Sequence, residues 1–374
     1  FLSTLTSIDL RTSLFGYYSR FHGGFLSSLC YSLLFWAFVA NMDKGKTKKA
    51  IRLLLYSGVL VSVYAILQHF GIDKNVWVQD VQNRVFSTLG QPNWLAAWFL
   101  GLLPLAWAFV LKGKKSLKKY LAISLLFTLA IAYTKSRSGL LGLAVAIPFF
   151  WGLIYFFTLK KKLNKPLKKK FLILNLLTLV LIFVGGTPWS PSLEKLGEKK
   201  EELKAQGPVL ETGGTESGKI RKIVWQGAID IFRHYPLTGT GPETFAFAYY
   251  QYRPIEHNLV SEWDFLYNKA HNEFLNILAT TGILGLAAYL YFIYIVISYL
   301  VKKLKEDPSV LYPAFLTSYV SLLITNFFGF SVVATSLLFF LIPALAIVLG
   351  TEGRVSFPNE RSWISGIRLW VTGS

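Results

Sequence analysis

Apolar runs long enough to cross a bilayer, about 17–25 residues each, recur from Phe25 to Gly350, and Lys and Arg crowd every second junction between them. The clusters run from Lys44 to Arg52, Lys112 to Lys119, Lys160 to Lys170 and Lys302 to Lys305. Cytoplasmic loops of membrane proteins retain basic residues in this way. Counted with the tail after Gly350, one side of the alternation holds 23 basic and 5 acidic residues, and the other 16 and 15. The sides therefore carry +18 and +1, so nearly all of the net charge of +19 reports topology. This accounts for the basic balance without a nucleic acid partner. The expected fold is an all-α polytopic membrane protein.

Nine spans are predicted, at roughly 25–41, 51–69, 94–111, 120–134, 139–158, 171–187, 275–300, 311–329 and 332–350. The chain divides accordingly into transmembrane helices over 1–187, an extracytoplasmic loop over 188–274, further transmembrane helices over 275–350 and a cytoplasmic tail over 351–374. The chain begins at Phe1, and residues 1–24 lack the basic-then-apolar order of a signal peptide. The expectation is a cut within a longer protein whose upstream helices are missing. The lone cysteine, Cys30, lies inside an apolar run and excludes a disulfide framework.

The outer segment 188–274 is far longer than its counterparts, and long loops without a fold of their own are uncommon. Residues 192–204 read as a charged helix and 207–218 as a Gly-rich link. Ile220, Ile223, Val224, Gly227 and Ile231 recur at helical spacing before a stop at Pro236, and Pro242 is expected just inside a new helix. A small helical extracytoplasmic cap over the mouth of the bundle is the expected result.

Four side chains stand out as carriers of chemistry. Arg137 lies in a turn of a few residues between two spans. A guanidinium there costs at least ~2.5–3.5 kcal/mol at depth, and its fork suits a phosphate or pyrophosphate. The competing reading is an interfacial Arg that snorkels to headgroups. His271 stands where the outer loop enters a span, and a neutral imidazole there suits removal of a hydroxyl proton. An ordinary interfacial His is the alternative. Arg221 and Arg84 are further anion candidates, each equally readable as a solvated surface charge. His234 and His257 are weaker candidates, and His69, at a span end, reads as structural. Gly239 to Pro242 reads as a turn, although helix N-termini can hold anions. Glu262 and Asp264 have metal-like spacing but no third ligand nearby, so neither a metal nor any other cofactor is called for.

Taken in order, RVFSTLGQPNWLAAW, SRSGLLGL, IRKIVWQGAIDIFRHYPLTGTGPETF and AHNEFLNILATTGILG resemble the O-antigen ligase and O-antigen polymerase family of bacterial membrane glycosyltransferases. GYYSRFHGG resembles it more weakly. His271 and Gly282 stand at the spacing that the family shows between its essential His and a Gly. The resemblance implies a polyprenyl-pyrophosphate-linked glycan donor and metal-independent transfer to a lipid, glycan or protein hydroxyl on the outer face of the cytoplasmic (inner) membrane. It implies His271 as general base and Arg137 and Arg221 as pyrophosphate ligands, with Arg84 a further candidate. Trp225 stands where the family ligases often show Leu, which loosens the match at Arg221. Ligase, repeat-unit polymerase and protein O-oligosaccharyltransferase use the same parts. A transporter or flippase for lipid-linked glycans is the non-enzyme alternative, but it predicts charges near the midplane of several spans. Here the span interiors are almost free of charge, which favours the enzyme.

Overall fold

The computed structural model describes residues 1–112, 117–158, 165–189 and 215–351. The expected helix over 192–204, most of the Gly-rich link and the tail beyond Thr351 lie outside the described residues. Within them the fold is all-α and polytopic. Two short helices, α1 (Leu2–Leu5) and α2 (Leu10–Phe15), precede α3 (Phe25–Asn41) and α4 (Lys44–His69). Next come α5 (Pro92–Lys112), α6 (Leu117–Thr134), α7 (Arg137–Leu153, ending in a π turn to Thr158) and α8 (Lys165–Gly185). Helices α9 (Ser217–His234) and α10 (Phe245–Tyr252) lie in the long loop, followed by α11 (Glu273–Glu306), α12 (Leu311–Phe327) and α13 (Val333–Gly350). Each predicted span coincides with one of these helices. Six of them are long and apolar enough to cross a membrane, and α3 and α12 are shorter apolar helices.

Helix α5 is the axis of the bundle. It is apolar on every side, and from Leu95 to Val110 nearly every residue is buried. Such all-round apolarity suits a helix enclosed by other helices. Helices α6, α7, α12, α13 and α4 surround it. Small residues let neighbours approach: a side chain at Gly139 of α7 would come within 2.5 Å of the Ala96 Cβ on α5. That close approach sets the N-terminus of α7, and with it Arg137 and Ser138, beside the start of α5.

The long loop builds a second, smaller core. Ile220, Val224, Ala228 and Ile231 of α9 pack with Phe245 and Tyr249 of α10 and with Val260, Tyr267 and Ala279. His257 belongs to this core. Its Nδ1 lies 2.6 Å from the Tyr249 hydroxyl and its Nε2 3.1 Å from the Glu262 carbonyl. The predicted helix after Pro242 begins instead at Phe245. Pro242 sits in the preceding turn, where Gly241 and Glu243 both take positive φ that helix backbone cannot use.

The reason is the join between this cap and the bundle. Helix α11 breaks at Gly282 (φ 65°, ψ −168°), which frees backbone groups on both sides of the break. The loop 236–241 takes them up. Thr240 and Gly241 donate to the Ala279 and Thr280 carbonyls (3.3 and 2.8 Å), and Ile283 and Leu284 donate to the Pro236 and Leu237 carbonyls (2.9 and 3.3 Å). The N-terminal segment then locks the loop, with Ser3 donating to the Thr280 carbonyl and Ser13 to the Pro242 carbonyl. A side chain at Gly282 would come within 2.3 Å of the Leu237 carbonyl oxygen. Gly282→Ala should therefore cost about 1–3 kcal/mol from the left-handed backbone alone, with the collision added. A melting temperature unchanged from wild type in detergent would contradict this account of the break.

Candidate functional site

His271 precedes α11 in a short stretch fixed at both flanks by asparagines. Asn272 caps α11 by accepting from the Leu275 amide (3.1 Å), and the Asn276 side chain accepts from the Ala270 amide (3.2 Å). Between them His271 takes a left-handed backbone, φ 52°, uncommon for a residue other than glycine. Its ring stands edge-on to Tyr267 (5.4 Å) and to Phe330 (5.2 Å). Burial first, then the charges of Arg221 and Arg20, push its pKa down to about 4. The imidazole is therefore neutral at pH 7, and the two charges acting on it are both cationic.

The turn between α12 and α13, residues 328–332, is the hub that gathers the other parts. The Phe328 carbonyl accepts from Arg221 Nη1 of α9 (3.1 Å). Phe330 touches His271, and the Arg20 guanidinium lies 5.5 Å from its ring and 5.3 Å from that of Trp94. The Ser331 amide donates to Glu273 (3.2 Å). A narrow pocket beside His271 is lined by Gln91, Asn93 and Trp94 at the start of α5, Ser138 of α7, and Asn326 and Phe330. Asn93 accepts from Ser136 (2.7 Å), the residue that caps α7 by accepting from the Gly139 amide.

The three sequence-predicted arginines stand in one electrostatic neighbourhood. Burial and then the charge of Arg137 lower the Arg84 pKa. Burial, partly offset by Tyr267, and the charges of Arg137 and Arg84 lower that of Arg221. Both stay protonated, because guanidinium starts above 12. Arg84 donates to the Thr134 carbonyl through Nε (3.3 Å), which leaves the fork ends for another partner. Arg137, the first residue of α7, is exposed and pairs loosely with exposed Glu216 at 3.4 Å. Like charges held this close are costly unless an anion joins them.

Arg20 was not singled out from sequence. It is partly buried, one of its terminal nitrogens is enclosed without a hydrogen-bond partner, and its charge reaches His271. The signal was its place in GYYSRFHGG. Gln91 and Asn93 read from sequence as part of a turn into a span, and Ser138 lies in SRSGLLGL without a chemical signal of its own. The remaining histidines do other work. His69 stacks on Tyr133 at 3.8 Å and binds the Gln82 carbonyl, while His234 binds the Asp230 carbonyl and packs on Tyr252. In Gly239 to Pro242 the Gly239 amide donates to the Tyr235 carbonyl and those of Thr240 and Gly241 donate to α11, so these amides form no anion cradle. Among the described residues no three His, Cys, Asp or Glu side chains gather as a metal would need.

A family model described as O-antigen ligase matches residues 121–290, from α6 to the first half of α11. The match contains Arg137, Arg221 and His271, while Arg20 and Arg84 precede it. No curated protein matches the chain. Multiple apolar helices and this match together make the protein a multi-pass membrane protein, whose residues 121–290 are similar to the O-antigen ligase family.

Proposed function

We propose that the protein transfers a glycan from a polyprenyl-pyrophosphate carrier to an acceptor hydroxyl, on the outer face of the bacterial cytoplasmic membrane. The observation that carries this reading is the neutral imidazole of His271 in the field of Arg221 and Arg20 at the lysine-poor end of the bundle. His271 takes the proton from the acceptor hydroxyl as its oxygen bonds to the anomeric carbon of the donor sugar. The bond from that carbon to the phosphate oxygen breaks, and its electron pair leaves with the pyrophosphate. Arg221, Arg84, Arg137 and Arg20 hold the charge that develops there. A pyrophosphate is already a good leaving group, so fixed cations serve where another site would need a strong acid or a metal. The acceptor class, whether lipid, growing glycan or protein, distinguishes ligase, polymerase and protein O-oligosaccharyltransferase. Transfer to a lipid-borne hydroxyl is the form adopted here.

His271→Ala should lower transfer by about 10²–10⁴-fold, the usual worth of a positioned base, with membrane insertion unchanged. Arg137→Lys should lose about tenfold or more, because the charge remains but the fork is lost. Both are read by glycan transfer in cells against protein level in membranes. Wild-type transfer by the Ala variant would remove His271 from the reaction, and an unimpaired Lys variant would make Arg137 an interfacial anchor.

The acid side of the pH profile carries a sign. The base works only when neutral, so activity falls as pH drops through its pKa, about 4 in the free protein. A bound pyrophosphate offsets the arginine field but not the burial that contributes most, so it raises the imidazole only part of the way from about 4. The acid limb of kcat/KM, which reports the free protein, should therefore lie at lower pH than the limb of kcat. Coincident limbs near the ordinary histidine value would count against this coupling.

A further inference from the structure

The narrow pocket beside His271 has a volume of about 10 Å³. One water molecule needs about 10–15 Å³, so the pocket admits a single oxygen, from water or from a hydroxyl group. Apolar cavities stay dry, whereas polar ones hold water when two to four partners face it. Here Gln91, Asn93, Ser138 and Asn326 stand around His271. Asn93 spends its side-chain oxygen on Ser136 (2.7 Å), so its amide nitrogen remains a donor. Among the described residues none hydrogen-bonds to the His271 ring. The neutral imidazole therefore keeps one bare nitrogen that can accept a proton.

The pocket borders cations as well as the base. Ser138 follows Arg137 in the first turn of α7. Trp94 and Phe330, two of the walls, carry the Arg20 guanidinium over their rings. An oxygen held here has a proton acceptor beside it and fixed positive charge nearby. Those are the needs of a nucleophile that displaces an anion.

Such a place selects poorly against water. A water and an acceptor hydroxyl offer the same O–H to the imidazole and the same lone pairs to the amides. The carbon skeleton that distinguishes an acceptor lies outside a pocket of this size. The hydrogen bonds that hold the hydroxyl therefore hold water as well.

We propose that the protein has a second activity, hydrolysis of the lipid-linked glycan, in which a water in this pocket is the nucleophile whenever no acceptor is bound. The water oxygen bonds to the anomeric carbon as His271 takes one of its protons. The bond from that carbon to the phosphate oxygen breaks, and its electron pair leaves with the pyrophosphate. The products are a free reducing glycan and polyprenyl pyrophosphate, and His271 returns its proton to solvent. This activity rests on the glycan-transfer reading for its donor, although transfer does not itself require any loss to water.

The test uses the full chain in phosphatidylcholine nanodiscs, in heavy-oxygen water, without acceptor. Its probe is the pool of polyprenyl-pyrophosphate-linked glycans purified from the cells that make the protein. Free glycan should accumulate, and the polyprenyl pyrophosphate formed with it should carry no heavy oxygen, because the bond cut is carbon to oxygen. His271→Ala should lower the release by about 10²–10⁴-fold. Ala97→Val and Ser138→Thr, which add carbon to the pocket wall from two different helices, should each lower it by about tenfold or more. Heavy oxygen in the phosphates would mean attack at phosphorus and would overturn the proposal. Release that survives both filling variants would place the water elsewhere and overturn it too. A protein that transfers glycan in cells yet releases none here would defeat the hydrolysis and leave the transfer reading standing. If neither transfer nor release depended on His271, both would fall together.

Discussion

The exchange of backbone hydrogen bonds at Gly282 holds the rest of the arrangement in place. A helix cannot leave carbonyls and amides open at this depth without heavy cost. The break in α11 is therefore stable only because the loop 236–241 fills it, and the loop is shaped only because the break is there. From this mutual dependence follows the position of α9, which enters the loop and carries Arg221. The direction of the first turn of α11, which carries Glu273 and begins just past His271, follows as well.

Much of the fold could be read along the chain. Apolar run length and the side-sorted lysines locate the helices because hydrocarbon thickness and backbone satisfaction leave few other solutions. The boundaries moved where polar residues extend a helix beyond its apolar stretch, as Lys44 to Ala50 do in α4 and Val301 to Glu306 in α11. Pro242 was misplaced for a different reason. Gly241 takes positive φ as it reaches Thr280 of α11 and Glu243 does so as it pairs with Lys269, and no local rule encodes contacts with residues so far along the chain.

The site was partly legible. Arg137 and His271 draw attention at span ends, Arg221 and Arg84 read equally as surface charges, and in the fold the charges of Arg84, Arg137 and Arg221 act on one another while that of Arg221 acts on His271. Arg20 stayed hidden because it lies in a mixed polar stretch where an arginine calls for no special account. What makes it unusual is its seat between Trp94 and Phe330, a property of the fold. The 328–332 turn was invisible for the same reason. It is a short, unremarkable join between two helices, and its worth comes from what packs against it.

Unlike the histidine of a hydrolase triad, His271 has no carboxylate partner among the described residues to shelter a proton it would accept in the proposed reaction. Arg221 and Arg20 would both repel the resulting imidazolium. In the proposed reaction the departing pyrophosphate would offset that repulsion. Under the proposed reaction, loss of this product would restore the field and drive the proton to water, so resetting the base and releasing the spent carrier would become one event.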